Sequence, residues 1–189
     1  MGRMSWHESQ RIAQSQGTFF TTYDAAKTVI NTEDLRTYAA DFWCKGRGLW
    51  LNVAGAISNI VTTPGTIVFQ VKLGSVVVWT SGNIQMNAIA HTKFPFWLEV
   101  LLTCRSVGSG TSATFIGQGK VSGKMFTNTA AQVDGLNSDS VILVPATSPA
   151  VGNGFDSTAA QQLDFFTGFS INNVGNGIQI EQYVPTELN

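Results

Sequence analysis

From Lys45 onward, apolar and polar side chains alternate with a period of two, the spacing of strands with one buried face. Leu49, Leu51, Val53 and Ile57 alternate against Asn52 and Ser58, and Gly55 marks a bend or a close backbone approach. Thr62-Thr63-Pro64-Gly65 is a turn in which Gly supplies a positive φ. After it, Ile67, Phe69 and Val71 face one way while Thr66, Gln70 and Lys72 face the other. Leu73-Gly74 followed by Val76-Val77-Val78-Trp79 predicts a tight hairpin, with Thr80-Ser81-Gly82-Asn83 as the next turn. The strongest strand pattern follows Pro95. Phe96, Leu98, Val100, Leu102 and Cys104 line one face, and Trp97, Glu99, Leu101, Thr103 and Arg105 line the other. That second face mixes charges with a Trp and a Leu, which suits a subunit contact or a covering loop.

The remaining elements are weaker. Residues 86–90 are ambiguous, with a strand as one reading, and residues 113–126 read as one long strand or two short ones with bends at Gly117, Gly119 and Gly123. Residues 128–139 form a polar loop, and Val141-Ile142-Leu143-Val144 is a short buried strand ended by Pro145. Leu163, Phe165, Thr167, Phe169 and Ile171 alternate against Asp164, Phe166 and Ser170. The Asn- and Gly-rich run from Asn172 to Gly177 then predicts a hairpin to Ile178, Ile180 and Gln182, with Asn176-Gly177 as a favoured turn pair. Residues 1–22 are polar with isolated Trp6, Ile12, Phe19 and Phe20, and are expected to be an extended arm ordered only against a neighbour. Residues 24–30 fit a short helix or a first strand, and residues 32–38 a turn or helix capped by Asn31 or Thr32. About eight strands with no long helix between them predict an all-β chain. The expected architecture is an antiparallel β-sandwich of jelly-roll type over residues 23–189, with residues 1–22 as an N-terminal extended arm.

Composition sharpens this picture. The chain is 43% apolar and 11% aromatic, enough for a real core, but only 12% charged, so Thr, Ser, Asn, Gln and Gly must build its surface. A neutral polar skin fits a protein packed into an assembly, or an extracellular or sugar-binding module. The net charge of -1 hides an asymmetry: residues 1–124 carry all 11 Lys and Arg against six acids (+5), and residues 125–189 carry six acids and no base (-6). Unlike halves could attract between copies, or strands from both halves could interleave and mix the charges. Cys44 and Cys104 are too few for a disulfide framework and have no metal-ligand spacing. Neither a signal peptide nor a run of 18 apolar residues is visible, so no membrane partner is expected.

Reactive chemistry is sparse. His7 and His91 are the only histidines, so a His-rich metal site is excluded and a Ser-His-Asp arrangement would have to use one of them. Glu99 is opposed in sign by Arg105 on its own strand, and Asp164 and Glu181 would lie on neighbouring strands without pairing directly. No carboxylate pair is placed for glycoside hydrolysis. Gly117-Gln118-Gly119-Lys120 lacks the spacing of a phosphate loop. Asp134, Asp139 and Asp156 fall in loops without the order of a Ca²⁺ site. Trp43, Lys45, Arg47 and Trp50 are too faint a basic and aromatic patch for a specific nucleic-acid partner. The expectation is a protein with no catalytic residues, no metal and no cofactor. Sugar binding carries more weight, with Trp79, Trp97 and Tyr183 as candidate platforms and burial as their alternative fate.

Several runs carry a resemblance. They are Thr62-Thr63-Pro64-Gly65-Thr66, residues 69–79 with Gly74, Lys93-Phe94-Pro95-Phe96-Trp97-Leu98-Glu99 and Leu102-Thr103-Cys104-Arg105. Gly108-Ser109-Gly110-Thr111, Gly117-Gln118-Gly119 and Gly154-Phe155-Asp156-Ser157-Thr158-Ala159-Ala160 fit the same pattern. Over roughly residues 17–189 the chain resembles a family of small structural proteins of tailed bacteriophages. The resemblance implies a virion protein made in the host cytoplasm and carried on the particle surface. A jelly-roll block with an arm is similar to capsid decoration, or cement, proteins, which implies a homotrimer clamping the major capsid protein or other virion proteins. A tail, neck or baseplate protein, or a sugar-binding receptor-recognition module, is the alternative. The residues expected at such a subunit or capsid interface are Trp6, Phe19, Phe20, Trp97, Leu101 and Arg105.

Overall fold

The computed structural model of the protein describes residues 7–9, 16–60, 62–127 and 141–188. Two antiparallel sheets pack face to face. The strands are β1 (His7–Ser9), β2 (Phe20–Thr21), β3 (Lys27–Thr28), β4 (Arg36–Tyr38), β5 (Gly48–Asn59) and β6 (Thr66–Leu73). They continue with β7 (Val76–Gln85), β8 (His91–Ser106), β9 (Thr114–Ser122), β10 (Val141–Val144), β11 (Gln161–Phe169) and β12 (Gly177–Leu188). The larger sheet runs β1-β12-β5-β8-β9-β10, with β2 also on β12, and the smaller runs β3-β11-β6-β7, with β4 also on β11. Among the described residues, the region before β5 holds the short strands and one 3₁₀ turn, Thr32–Asp34, with Asn31 as its N-cap residue, so residues 24–30 yield a short strand and the capped turn is realised at the start of residues 32–38.

The core lies between the sheets, where the period-two pattern put it. Leu49, Leu51, Val53, Ile67, Phe69, Val71, Phe96, Leu98, Val100, Leu102, Leu163 and Phe165 are all buried. Phe69 of the smaller sheet stacks on Phe96 of the larger at 5.8 Å and on Phe165 of its own at 5.8 Å, joining the layers with aromatic contacts. Gly117 and Gly119 face the same core. A methyl group at Gly117 would lie 2.7 Å from the Trp79 ring, so these glycines make room for a buried indole rather than cradle phosphate.

Three expectations are corrected. Thr80-Ser81-Gly82-Asn83 is not a turn but the middle of β7. The register slips between Val68 and Gln70, Gly82 takes φ +67°, and Ser81 Oγ accepts the Phe69 N–H at 2.9 Å in place of a ladder carbonyl. The Asn172–Gly177 run does not close a hairpin: β11 belongs to the smaller sheet and β12 to the larger. The buried Asn176 side chain holds this crossing, donating to Pro64 O and Ile171 O at 3.2 Å each and accepting the Ile60 N–H at 3.0 Å. Finally, β10 is not buried throughout. It is an edge strand with Ile142 and Val144 inward and Val141 and Leu143 more than half exposed. Strands of the two charge-biased halves interleave, with Asp164 of β11 in register with Lys72 of β6, so the charges mix within one body.

Candidate binding surface

The outer face of the larger sheet gathers five exposed apolar side chains, Trp50, Trp97, Leu101, Val141 and Leu143. In one cross-strand row Trp50 of β5 faces Leu101 of β8, and in the next Asn52, Glu99, Lys120 and Leu143 follow one another from β5 to β10. Trp50 is 41% exposed, Leu101 48% and Leu143 59%, and with Leu188 they line a shallow depression of about 470 Å³. A third row runs Gln182, Ala54, Trp97, Ser122 and Val141. Lys120 Nζ lies 2.9 Å from Glu99 Oε2, and the Trp97 indole N–H donates to Glu99 Oε1 at 3.1 Å. Glu99 therefore answers Lys120 across the strands. Arg105 lies six residues along the same strand, about 20 Å away at strand rise.

The expected interface residues do not all meet. Trp97 and Leu101 share this face, and Arg105 is exposed further along β8, beside a bulge between Cys104 and Ser106. Phe19 and Phe20 are half-buried at the other edge, beneath the ammonium groups of Lys93 and Lys27. The arm there pairs with its own chain: β1 and β2 both add to β12, and the Gly17 N–H bonds to Ile180 O. Trp6 lies outside the described residues, as do Asp134, Asp139 and the 128–139 loop. Of the sugar platforms, Trp79 and Tyr183 are buried in the chain's own core and Trp97 alone is exposed, at 43%. Sequence reasoning missed Trp50, Leu143 and Val141. Trp50 carried a signal, since it stands at a polar-phase position between inward Leu49 and Leu51.

Other titratable groups serve the structure around them. His91 Nδ1 sits 2.8 Å from Asn59 Oδ1, and its ring meets Phe94 edge-on, so no nucleophile or carboxylate partners it in the described contacts. Among the described residues no group of three or more His, Cys, Asp or Glu side chains could hold a metal ion. Cys104 is buried and Cys44 exposed, both as free thiols, and burial pushes the Cys104 thiol up. The Thr158 hydroxyl on Asp156 lowers that carboxyl's pKa. Burial raises Asp164 despite hydrogen bonds from Thr28 and the Phe165 N–H. No described helix is long and apolar enough to cross a membrane.

The chain matches no protein-family model and no curated protein. Among solved structures it is similar to the CBM2 module of the evolved Dit of Lactobacillus casei BL23 phage J-1. The identity is 14% and the TM-score 0.30, over 82% of this chain and 68% of that one, a likeness too slight to carry an argument.

Proposed function

We propose that the chain is a non-catalytic structural protein of a tailed-bacteriophage particle, and that its sandwich is a jelly roll. The strand order supports the second part. One sheet reads β1 and β2, β12, β5, β8, and the other β3 and β4, β11, β6, β7, the interleaving of two Greek keys, with β9 and β10 added at one edge. The particle is assigned on the sequence resemblance of residues 17–189.

The observation that carries the working mechanism is the apolar face of Trp50, Leu101 and Leu143 on a rigid sheet, in a chain with so few charges. An exposed patch of this kind is stabilised by a protein neighbour. Contacts of modest strength repeated over a symmetric particle add up to firm attachment without a deep pocket. Leu101, beside Trp50 and Leu143, and Arg105 form one part of the contact, with Trp97 at its margin, and Phe19, Phe20 and Trp6 of the arm form another. A homotrimer on the head, clamping the major capsid protein, and a place in the tail, neck or baseplate use the same surface.

Electron microscopy of purified particles of a phage carrying this chain tests the proposal. Copies bound on the outside with the β5-β8-β10 face against a neighbour are the expected result, and their position decides between head and tail. Particles that lack the chain altogether would overturn it.

A further inference from the structure

Beside the flat apolar patch, the same sheet face carries a trough of about 770 Å³ with Trp97 standing in it. The row across the sheet explains its shape. Ala54 on one side of Trp97 and Ser122 on the other are small, so both flanks of the indole are open. Polar groups stand at the two ends: Glu181 and Gln182 on β12, and Lys124 just past β9. Glu181 and Gln182 are consecutive yet both exposed, because the register of β12 on β5 slips between Ile180 and Gln182. That bulge presses against Gly55, where a methyl group would lie 2.0 Å from Gln179 O. The glycine thus permits the irregularity that brings two polar side chains to one rim.

We propose that this trough binds an uncharged saccharide, with one sugar ring stacked on Trp97 and its hydroxyls bonded to Gln182, Glu181 and Lys124. The two rims lie three strand spacings apart, about 14 Å, with Trp97 standing between them two spacings from β12, so the long side chains of Gln182, Glu181 and Lys124 reach in toward a ring stacked on the indole. The indole is held ready: its N–H is fixed on Glu99, and Glu99 is fixed by Lys120. A preset aromatic surface loses little freedom on binding. Charge and backbone select the ligand class. Glu99 pairs with Lys120, and the trough lining carries one acid, Glu181, and one base, Lys124, so no positive excess favours a nucleic acid. The floor is sheet interior, with β5 already paired to β8 and β12, so a peptide cannot add as a strand. A flat apolar sugar face flanked by hydroxyls matches both the indole and the polar rims.

The test uses the full chain with three named probes: cellohexaose, maltohexaose and a hexamer of N-acetylglucosamine. The Trp97 indole N–H resonance, assigned by its loss in Trp97→Phe, is followed by nuclear magnetic resonance. At least one probe should move it saturably. Trp97→Ala should abolish the response of neighbouring backbone signals, and Gln182→Ala should weaken binding roughly two- to tenfold, the loss of one hydrogen bond. Both sites are exposed, and an unchanged thermal melt checks that the variants fold. Binding that survives Trp97→Ala, or no shift with any of the three probes, overturns the proposal. Leu101→Glu separates the two readings: it should impair attachment to particles and leave the sugar response intact.

Discussion

At Gly117 a single added methyl group would meet Leu102 at 2.3 Å and the Trp79 ring at 2.7 Å, both deep in the core. Gly117→Ala should therefore destabilise the fold by overpacking, by about 1–3 kcal/mol, read as a shift in the urea midpoint. Leu98 is fully buried on the facing strand, and Leu98→Ala should cost roughly 2–5 kcal/mol. A cost near zero would place residue 98 on the outer face. Asp164 gives a prediction of different sign. Burial raises its carboxyl above the ordinary value of about 3.9, so the folded chain holds that proton more tightly than the unfolded chain does. Its contribution makes stability fall as pH rises from the unfolded pKa through the raised folded one. Asp164→Asn keeps an acceptor oxygen for Thr28 and removes the titration, so its stability should fall less over that interval than the parent's. Equilibrium unfolding at a series of pH values measures the difference.

At the scale of elements, the short link between β11 and β12 decides the architecture. Its composition reads as a hairpin turn, and a turn-forming sequence says nothing of which sheet the next strand will join. The choice is made by Asn176, whose amide reaches Pro64 and Ile171 while its oxygen takes the Ile60 N–H. Asn176→Ala should leave buried backbone groups unsatisfied and cost about 1–3 kcal/mol. Hydrogen exchange should show faster opening at Ile60, and protection unchanged there would remove Asn176 from this role. The β7 bulge follows the same logic. Thr80 to Asn83 has turn composition, but Gly82 and the Ser81 hydroxyl absorb one extra residue within a continuing strand.

At the scale of the whole molecule, the sandwich buries its large aromatics well and still leaves Trp50, Trp97, Leu101, Val141 and Leu143 exposed on one face. If that face is where copies or virion partners meet, Leu101→Glu should weaken association at least tenfold, as a charge placed in a protein contact must be desolvated. Analytical ultracentrifugation and particle-binding assays read this directly. A parent chain that stays monomeric at all concentrations and never attaches to particles would contradict it. The mixed character of this face was legible from Trp97, Glu99 and Leu101 at alternate positions. Its extent was not, because Trp50 and Leu143 come from strands far apart in sequence and become neighbours only through register.

Residue order alone determined which faces of the long strands are buried, because the side-chain period of a strand is two wherever it pairs. It also determined that the chain is built from sheets and poor in reactive groups. Tertiary structure decided what local pattern cannot express: that β11 and β12 part into different sheets, that Gly117 and Gly119 receive Trp79, and that Gly55 lets Glu181 and Gln182 share a rim with Trp97. Each of these depends on which distant strand comes to lie alongside. Long-range packing settles that choice, and the local sequence leaves it open.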